Sequence, residues 1–195
     1  MLMGKGLFDE QNPGFVGTYS GIASAPQTRE TIENADTIIC VGTRFTDTIT
    51  AGFTQHLPPE HTIEIQPFAV RVGERWFSRI PMDQALAVLI GLSASLAAEW
   101  TLPPVSLPEV GGATGGALTQ KSFWSTVQEQ LRPGDIILAD QGTAAFGVAA
   151  LRLPSDATLL VQPLWGSIGF TLPAAYGAQT AAPDRRVVLI IGDGA

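Results

Sequence analysis

The stretch Arg186–Ile191 (RVVLII) restricts the fold of this chain more than any other feature. Five branched apolar residues follow one another with no polar residue between them. A strand that is apolar on both faces cannot lie on a solvated sheet; it must be covered on both sides, as the strands of parallel sheets are. The same pattern occurs upstream in Asp135–Ala139 (DIILA) and Thr158–Val161, and helical stretches are expected between these strands, at Gln141–Leu151 and from Gly166 to Thr180. Apolar strands alternating with helices predict an α/β fold with mainly parallel sheets.

The first half repeats this grammar. A helix is expected over Pro26–Asn34, then strands at Asp36–Val41 and His61–Gln66, and a β-rich piece at Val70–Ile80. Asp83–Trp100 reads as a buried helix, with Asp83 able to cap it and no charge between Ala85 and Ala98. Thr101–Gly116 has three prolines, four glycines and no periodicity, which marks a linker. Leu118–Leu131 then reads as an amphipathic helix stopped by Pro133-Gly134. The organisation is therefore two partial three-layer domains, 1–100 and 117–195, joined by 101–116. Met1–Gly6 reads as the end of a strand, and Arg186–Ile191 lacks a following helix, so the chain is expected to be a piece of a longer protein.

Composition narrows the function. Of 195 residues, 45% are hydrophobic and 15% charged, below the roughly 25% of ordinary soluble domains, which points to a surface covered by other protein. A net charge of −7 with scattered basic residues argues against nucleic acid as a partner. Cys40 is the one cysteine, in an apolar run, and is expected to be a buried structural thiol. The uncharged stretch 157–183 is broken by prolines and glycines and reads as core rather than a membrane span. No basic, apolar leader opens the sequence, so the expected compartment is the cytoplasm. His56 and His61 are expected in surface loops, and the tryptophans Trp76, Trp100 and Trp124 in packing roles.

Ligands of open parallel sheets gather at the carboxyl ends of strands. Three loops occupy such positions: Asp140-Gln141-Gly142-Thr143, Pro163–Gly169, and Gly192–Ala195. In the last, an Asp between glycines offers a carboxylate on bare backbone, a setting that suits Mg²⁺ and an approaching phosphate, although a plain turn has the same residues. Gly166-Ser167-Ile168-Gly169 stands before a helix, where free N–H groups can meet an anion, or where glycine serves close packing alone.

Together these stretches resemble the thiamine-diphosphate-dependent 2-oxo acid decarboxylases, most of all the indolepyruvate decarboxylases of the pyruvate decarboxylase group. The matching segments are MGKGLFDEQNPGFVGTYSG, ILADQGTAAFG, QPLWGSIGFTLPAAYGAQTAAP and IIGDGA, in the family's order. The resemblance implies the C-terminal part of a Rossmann-like middle domain followed by the start of a diphosphate-binding domain, with thiamine diphosphate and Mg²⁺ as cofactors of the longer protein and not expected on this chain alone. It makes Asp193 a Mg²⁺ ligand and sets Gly192, Gly194 and Ala195 beside the diphosphate. Thr143, Gly166 and Ser167 fall on the cofactor-binding side, and Ile168 becomes the aliphatic wedge that bends the cofactor. Gln141 would orient the substrate. Ala145 and Trp165 would border its pocket, where a small residue at 145 leaves room for an aryl group.

The reaction so implied is non-oxidative loss of CO₂ from a 2-oxo acid, indole-3-pyruvate first among them, with the cofactor as electron sink. The family builds its active sites between subunits, so a homo-oligomer, a dimer of dimers, is the expected partner state, and the chain alone is expected to be inactive. Pyruvate, phenylpyruvate or benzoylformate decarboxylation and acetolactate formation stand as alternatives within the same chemistry. From another class, Gly42-Thr43-Arg44 leaves open a non-catalytic nucleotide-binding module.

Overall fold

A computed structural model describes residues 1–96 and 117–195. The expected linker and Trp100 lie outside these residues. Two compact units are present, one running from Ser20 through the described first half, the other joining Met1–Tyr19 to the described second half.

In the first unit, α1 (Pro26–Glu33) starts on a proline, whose fixed φ suits a first helical turn, and leads to β1 (Ile38–Val41). β2 (Thr62–Gln66) pairs parallel to β1 with Ile38 opposite Thr62. The β-rich piece forms a hairpin, β3 (Ala69–Val72) and β4 (Arg75–Ser78), so the sheet order β1-β2-β3-β4 has one parallel pair and two antiparallel ones. Gly73 supplies the positive φ of the hairpin turn. Cys40 is buried in β1, and burial together with the nearby Glu64 carboxylate pushes its thiol above the usual range. His56 and His61 are exposed, as expected of loops.

Two expectations for this unit are corrected. The helix predicted over Asp83–Trp100 is α2 (Met82–Ser95); it starts after Pro81, and Asp83 sits inside its first turn, facing the helix dipole without capping it. Nor is α2 buried: Val88, Ile90 and Leu92 are exposed, because a helix apolar all round has more sides than this unit covers. Trp76, expected to pack, is half exposed on β4, with the Arg71 guanidinium 5.7 Å from its ring.

The second unit has a three-stranded sheet in the order β6-β5-β7, all parallel: β5 (Ile136–Ala139), β6 (Thr158–Leu160) and β7 (Val187–Ile190). β5 lies in the middle and is wholly buried. Ile137 and Ala139 face a core with Leu131, Val148 and Leu153, whereas Ile136 and Leu138 face Ala175. The sheet is thus covered on both sides: α3 (Gln120–Gln130) and α4 (Thr143–Ala150) pack on one face, and α5 (Thr171–Ala181) on the other. Each buried aliphatic chain of β5 contributes about 1.5–3 kcal/mol.

α3 is closed by a capping box, in which Thr119 and Ser122 satisfy each other's backbone N–H groups. α3 lies against α4 so closely that a Cβ added at Gly147 would overlap the Trp124 indole. At the base of the sheet, Asp135 accepts from Arg186 at 2.8 and 2.5 Å and from the Arg132 amide at 2.7 Å.

Met1–Tyr19 is held to this unit by a buried ion pair. Lys5 Nζ donates to both Glu10 carboxylate oxygens at 2.9 Å and to the Leu151 carbonyl at 2.6 Å. Glu10 in turn accepts from the Leu153 amide at 2.8 Å. Leu2–Gly4, expected as the end of a strand, is a 3-10 turn, since the Met1 and Leu2 carbonyls accept from the amides of Gly4 and Lys5.

Candidate functional site

Because β5, β6 and β7 are parallel, the three candidate loops all leave the same edge of one sheet. β5 sends its chain toward β6 on one side, and β7 returns on the other. The Asp140–Gly142 and Gly192–Ala195 loops therefore flank the place where the winding direction changes, the usual ligand crevice of such sheets.

From β5 the chain enters Asp140-Gln141-Gly142. Gly142 has φ +107°, a conformation that side chains resist, so the helix expected from Gln141 begins at Thr143 instead. Thr143 is exposed at the start of α4. The Gln141 Oε1 is buried with no partner among the described residues. A Cβ placed on Gly166 would stand 3.7 Å from Gln141 Cγ, so the Gln141 side chain and the Gly166 backbone adjoin.

The Pro163–Gly169 loop is corrected in one respect: it does not open the helix directly. Gly166 and Gly169 hold φ of +68° and +86°, and α5 starts only at Thr171. Instead, Gln162 Oε1 accepts from the amides of Trp165 and Gly166 at 2.8 and 3.0 Å. Trp165 and Ile168 stand out at 83% and 68% exposure, and Ser167 is half-buried. A Cβ on Gly169 would lie 3.7 Å from the Ala195 backbone, so this loop meets the Gly192–Ala195 turn.

In that turn Gly192, Asp193, Gly194 and Ala195 are all exposed, and a Cβ at either glycine would meet nothing within 4 Å. The Asp193 carboxylate is thus open to a ligand on bare backbone. Among the described residues no three His, Cys, Asp or Glu side chains gather as a metal site, so Asp193 by itself would supply one carboxylate to a cation. The open turn leaves room for a phosphate approached through a cation, and the orphaned Gln141 oxygen calls for a hydrogen-bond donor. Ala145 is buried at 1% exposure, and its amide donates to the Asp140 carbonyl at 3.0 Å.

Two residues of the site carried no signal of their own in the sequence. Asp140 is 2% exposed; its Oδ1 accepts from the Thr171 hydroxyl at 2.8 Å and its Oδ2 from the Gly169 amide at 3.1 Å. Burial pushes the Asp140 carboxyl up, but these bonds and others from backbone amides prevail and hold it below the usual range. Thr171 is buried beside it. A helix-starting Thr facing a strand-end Asp across 31 residues could be found only once the loops were folded together. A separate apolar cleft of about 400 Å³ between α3 and β7 includes none of these site residues.

The fold and the edge-on loops agree with comparisons to known proteins. Residues 1–89 match the central domain of thiamine pyrophosphate enzymes, and residues 140–195 match their C-terminal TPP-binding domain. Both halves of the chain are therefore similar to thiamine pyrophosphate enzymes, in that order of domains. Among individual proteins, the chain is 42% identical over its whole length to the alpha-keto-acid decarboxylase of Mycobacterium avium (strain 104), and 43% identical to those of Mycobacterium bovis (strain BCG / Pasteur 1173P2) and Mycobacterium tuberculosis (strain ATCC 25618 / H37Rv). It spans 35% of the length of each of these relatives. No helix among the described residues is long and apolar enough to cross a membrane.

Proposed function

We propose that this chain contributes part of the cofactor site of a thiamine-diphosphate-dependent 2-oxo acid decarboxylase, acting on an aryl 2-oxo acid with indole-3-pyruvate as the leading substrate. The observation that carries the reading is the convergence of Gln141, the Gly166–Gly169 loop and the Gly192–Ala195 turn on one edge of a parallel sheet. In this reading Asp193 holds Mg²⁺ against the diphosphate, with Gly192, Gly194 and Ala195 lining it. Thr143, Gly166 and Ser167 border the pyrimidine side, and the exposed Ile168 supports the bent cofactor. When bound, the cofactor supplies a carbanion and an electron sink for loss of CO₂.

The chain's own groups then divide by chemistry. The unpartnered Gln141 oxygen accepts a hydrogen bond from a group at the reacting centre and orients it. Trp165, free of packing, offers an aromatic wall to an aryl substrate. Ala145, a small residue in the first turn of α4, leaves room for an aryl group in this reading. The relatives' greater length leaves the remaining catalytic groups outside these 195 residues, so the chain by itself is expected to release no CO₂. The working enzyme is a cytoplasmic homo-oligomer in this proposal, a dimer of dimers whose subunits cover the apolar residues left open here.

The test is a panel of 2-oxo acids given to the full-length enzyme with thiamine diphosphate and Mg²⁺. Indolepyruvate or phenylpyruvate should be turned over with the highest kcat/KM. A clear preference for pyruvate, or acetolactate as product, would overturn the substrate assignment.

A further inference from the structure

We infer that Asp140 is the positioning residue of the Gly166–Gly169 loop, holding it against the Gln141 side chain and the Gly192–Ala195 turn; the inference rests on the cofactor site proposed above. A carboxylate 2% exposed is expensive unless its oxygens are satisfied. The bonds that satisfy it come mainly from the crossover after β6: the Gly169 N–H on Oδ2, the Thr171 hydroxyl on Oδ1 and the Thr171 backbone N–H, with the Gln141 N–H beside them. The same residue's amide donates to the Ile190 carbonyl at 2.9 Å, and its carbonyl accepts from Ala145. One strand-end residue therefore ties together β5, β7, α4, the loop and the start of α5.

The loop has little else to fix it. Gln162 secures its first end through Trp165 and Gly166, and a 3.4 Å bond joins the Phe170 amide to the Ser167 carbonyl. α5 has no side-chain cap of its own, its N-cap position being Phe170. Asp140 anchors the start of α5 from across the sheet through Thr171, at the end of the loop nearest Ala195. It faces no open cleft, so it acts through the backbone it holds.

The experiment compares Asp140→Ala and Asp140→Asn in this chain by amide hydrogen exchange and by Trp165 emission, with Trp165→Phe as the blank. Ala removes every bond to the carboxylate. Asn keeps an acceptor for Gly169 and can donate to the Thr171 oxygen. Ala should speed exchange over Gly166–Phe170 by roughly ten- to a hundredfold, the loss of charge-assisted hydrogen bonds, while Ile136–Ala139 stays protected, and Asn should restore most of the protection. An unchanged loop, or loop and β5 loosening in step, would overturn the inference. If Asp140→Ala does not fold, Thr171→Val removes one of these bonds at nearly constant shape and should give the same local contrast, weaker.

Thiamine diphosphate with Mg²⁺ is then titrated against Trp165 emission. Its response should weaken in Asp140→Ala and return in Asp140→Asn. A local exchange effect with no response in the unsubstituted chain would sink the cofactor reading and leave the positioning role standing; an unchanged loop with a response equal in all three proteins would do the reverse.

Discussion

The Lys5–Glu10 pair gives the sharpest prediction about stability. Both side chains are 1% exposed, and neither can reach water if its partner is removed. Glu10→Leu strands a buried ammonium and also deprives the Leu153 amide of its acceptor. Breaking a buried pair on one side costs about 3–5 kcal/mol, with about 1–3 kcal/mol attached to an orphaned amide, so Glu10→Leu should fall at the upper end of the first range. Lys5→Met should cost about 3 kcal/mol for the mirror reason. The double variant, an apolar pair of similar volume, should be far less destabilised than the sum, with a coupling of at least about 2 kcal/mol. Urea unfolding followed by Trp124 emission reads the unit that contains the pair. pH adds an independent check. Burial draws Lys5 below its ordinary range, against the pull of Glu10. With Glu10 gone, the native state prefers neutral lysine more strongly than the unfolded chain does. The Glu10→Leu protein should therefore regain stability as pH rises from 7 toward 10, by up to about 1.4 kcal/mol per pH unit. Additive single effects, or a Glu10→Leu penalty that does not lessen with pH, would refute this account of the clasp.

Two further predictions concern the same unit. Gly147→Ala, which helix propensity alone would favour by about 1 kcal/mol, should instead destabilise by about 1–3 kcal/mol through overlap with Trp124, and Gly147→Ala/Trp124→Leu should recover part of the loss; a higher Tm for the single variant would contradict the packing. Asp135 is buried, which raises its pKa, but the Arg186 guanidinium and the Arg132 amide prevail and hold it low. A carboxyl depressed in the folded state stabilises above its unfolded pKa, and that stability is lost as pH falls through the lower folded value. Asp135→Asn should therefore flatten the acid limb of a stability curve below about pH 4, and an unchanged limb would assign acid lability elsewhere.

Strand positions in the sequence were legible because their residues answer to one force. RVVLII and DIILA are dense in branched apolar residues and appear as β7 and β5; β5 is covered as expected, whereas β7, at the edge of the sheet, is only half-buried. The site's outline was legible for a related reason: parallel strands deliver their following loops to one edge, and glycine-bounded turns stand there. Helix starts were less so. Gly142, Gly166 and Gly169 adopt positive φ, and each delays a helix that periodicity alone begins too early. The exposure of α2 was hidden because apolar residues state a wish for burial, not whether a neighbour grants it. Longest in range, and least visible, were the polar ties: Lys5 to Leu151, and Asp140 to Gly169 and Thr171, each joining residues that no local pattern relates.

The central claim is that the Gly192–Ala195 turn binds a diphosphate through a cation on Asp193. Ligand-observed NMR of thiamine diphosphate with this chain, with Mg²⁺ present or replaced by EDTA, and with Asp193→Ala alongside, tests it most directly. The account predicts weak binding that requires Mg²⁺ and is abolished by Asp193→Ala. Binding indifferent to both, or no binding with Mg²⁺ at millimolar ligand, would contradict it.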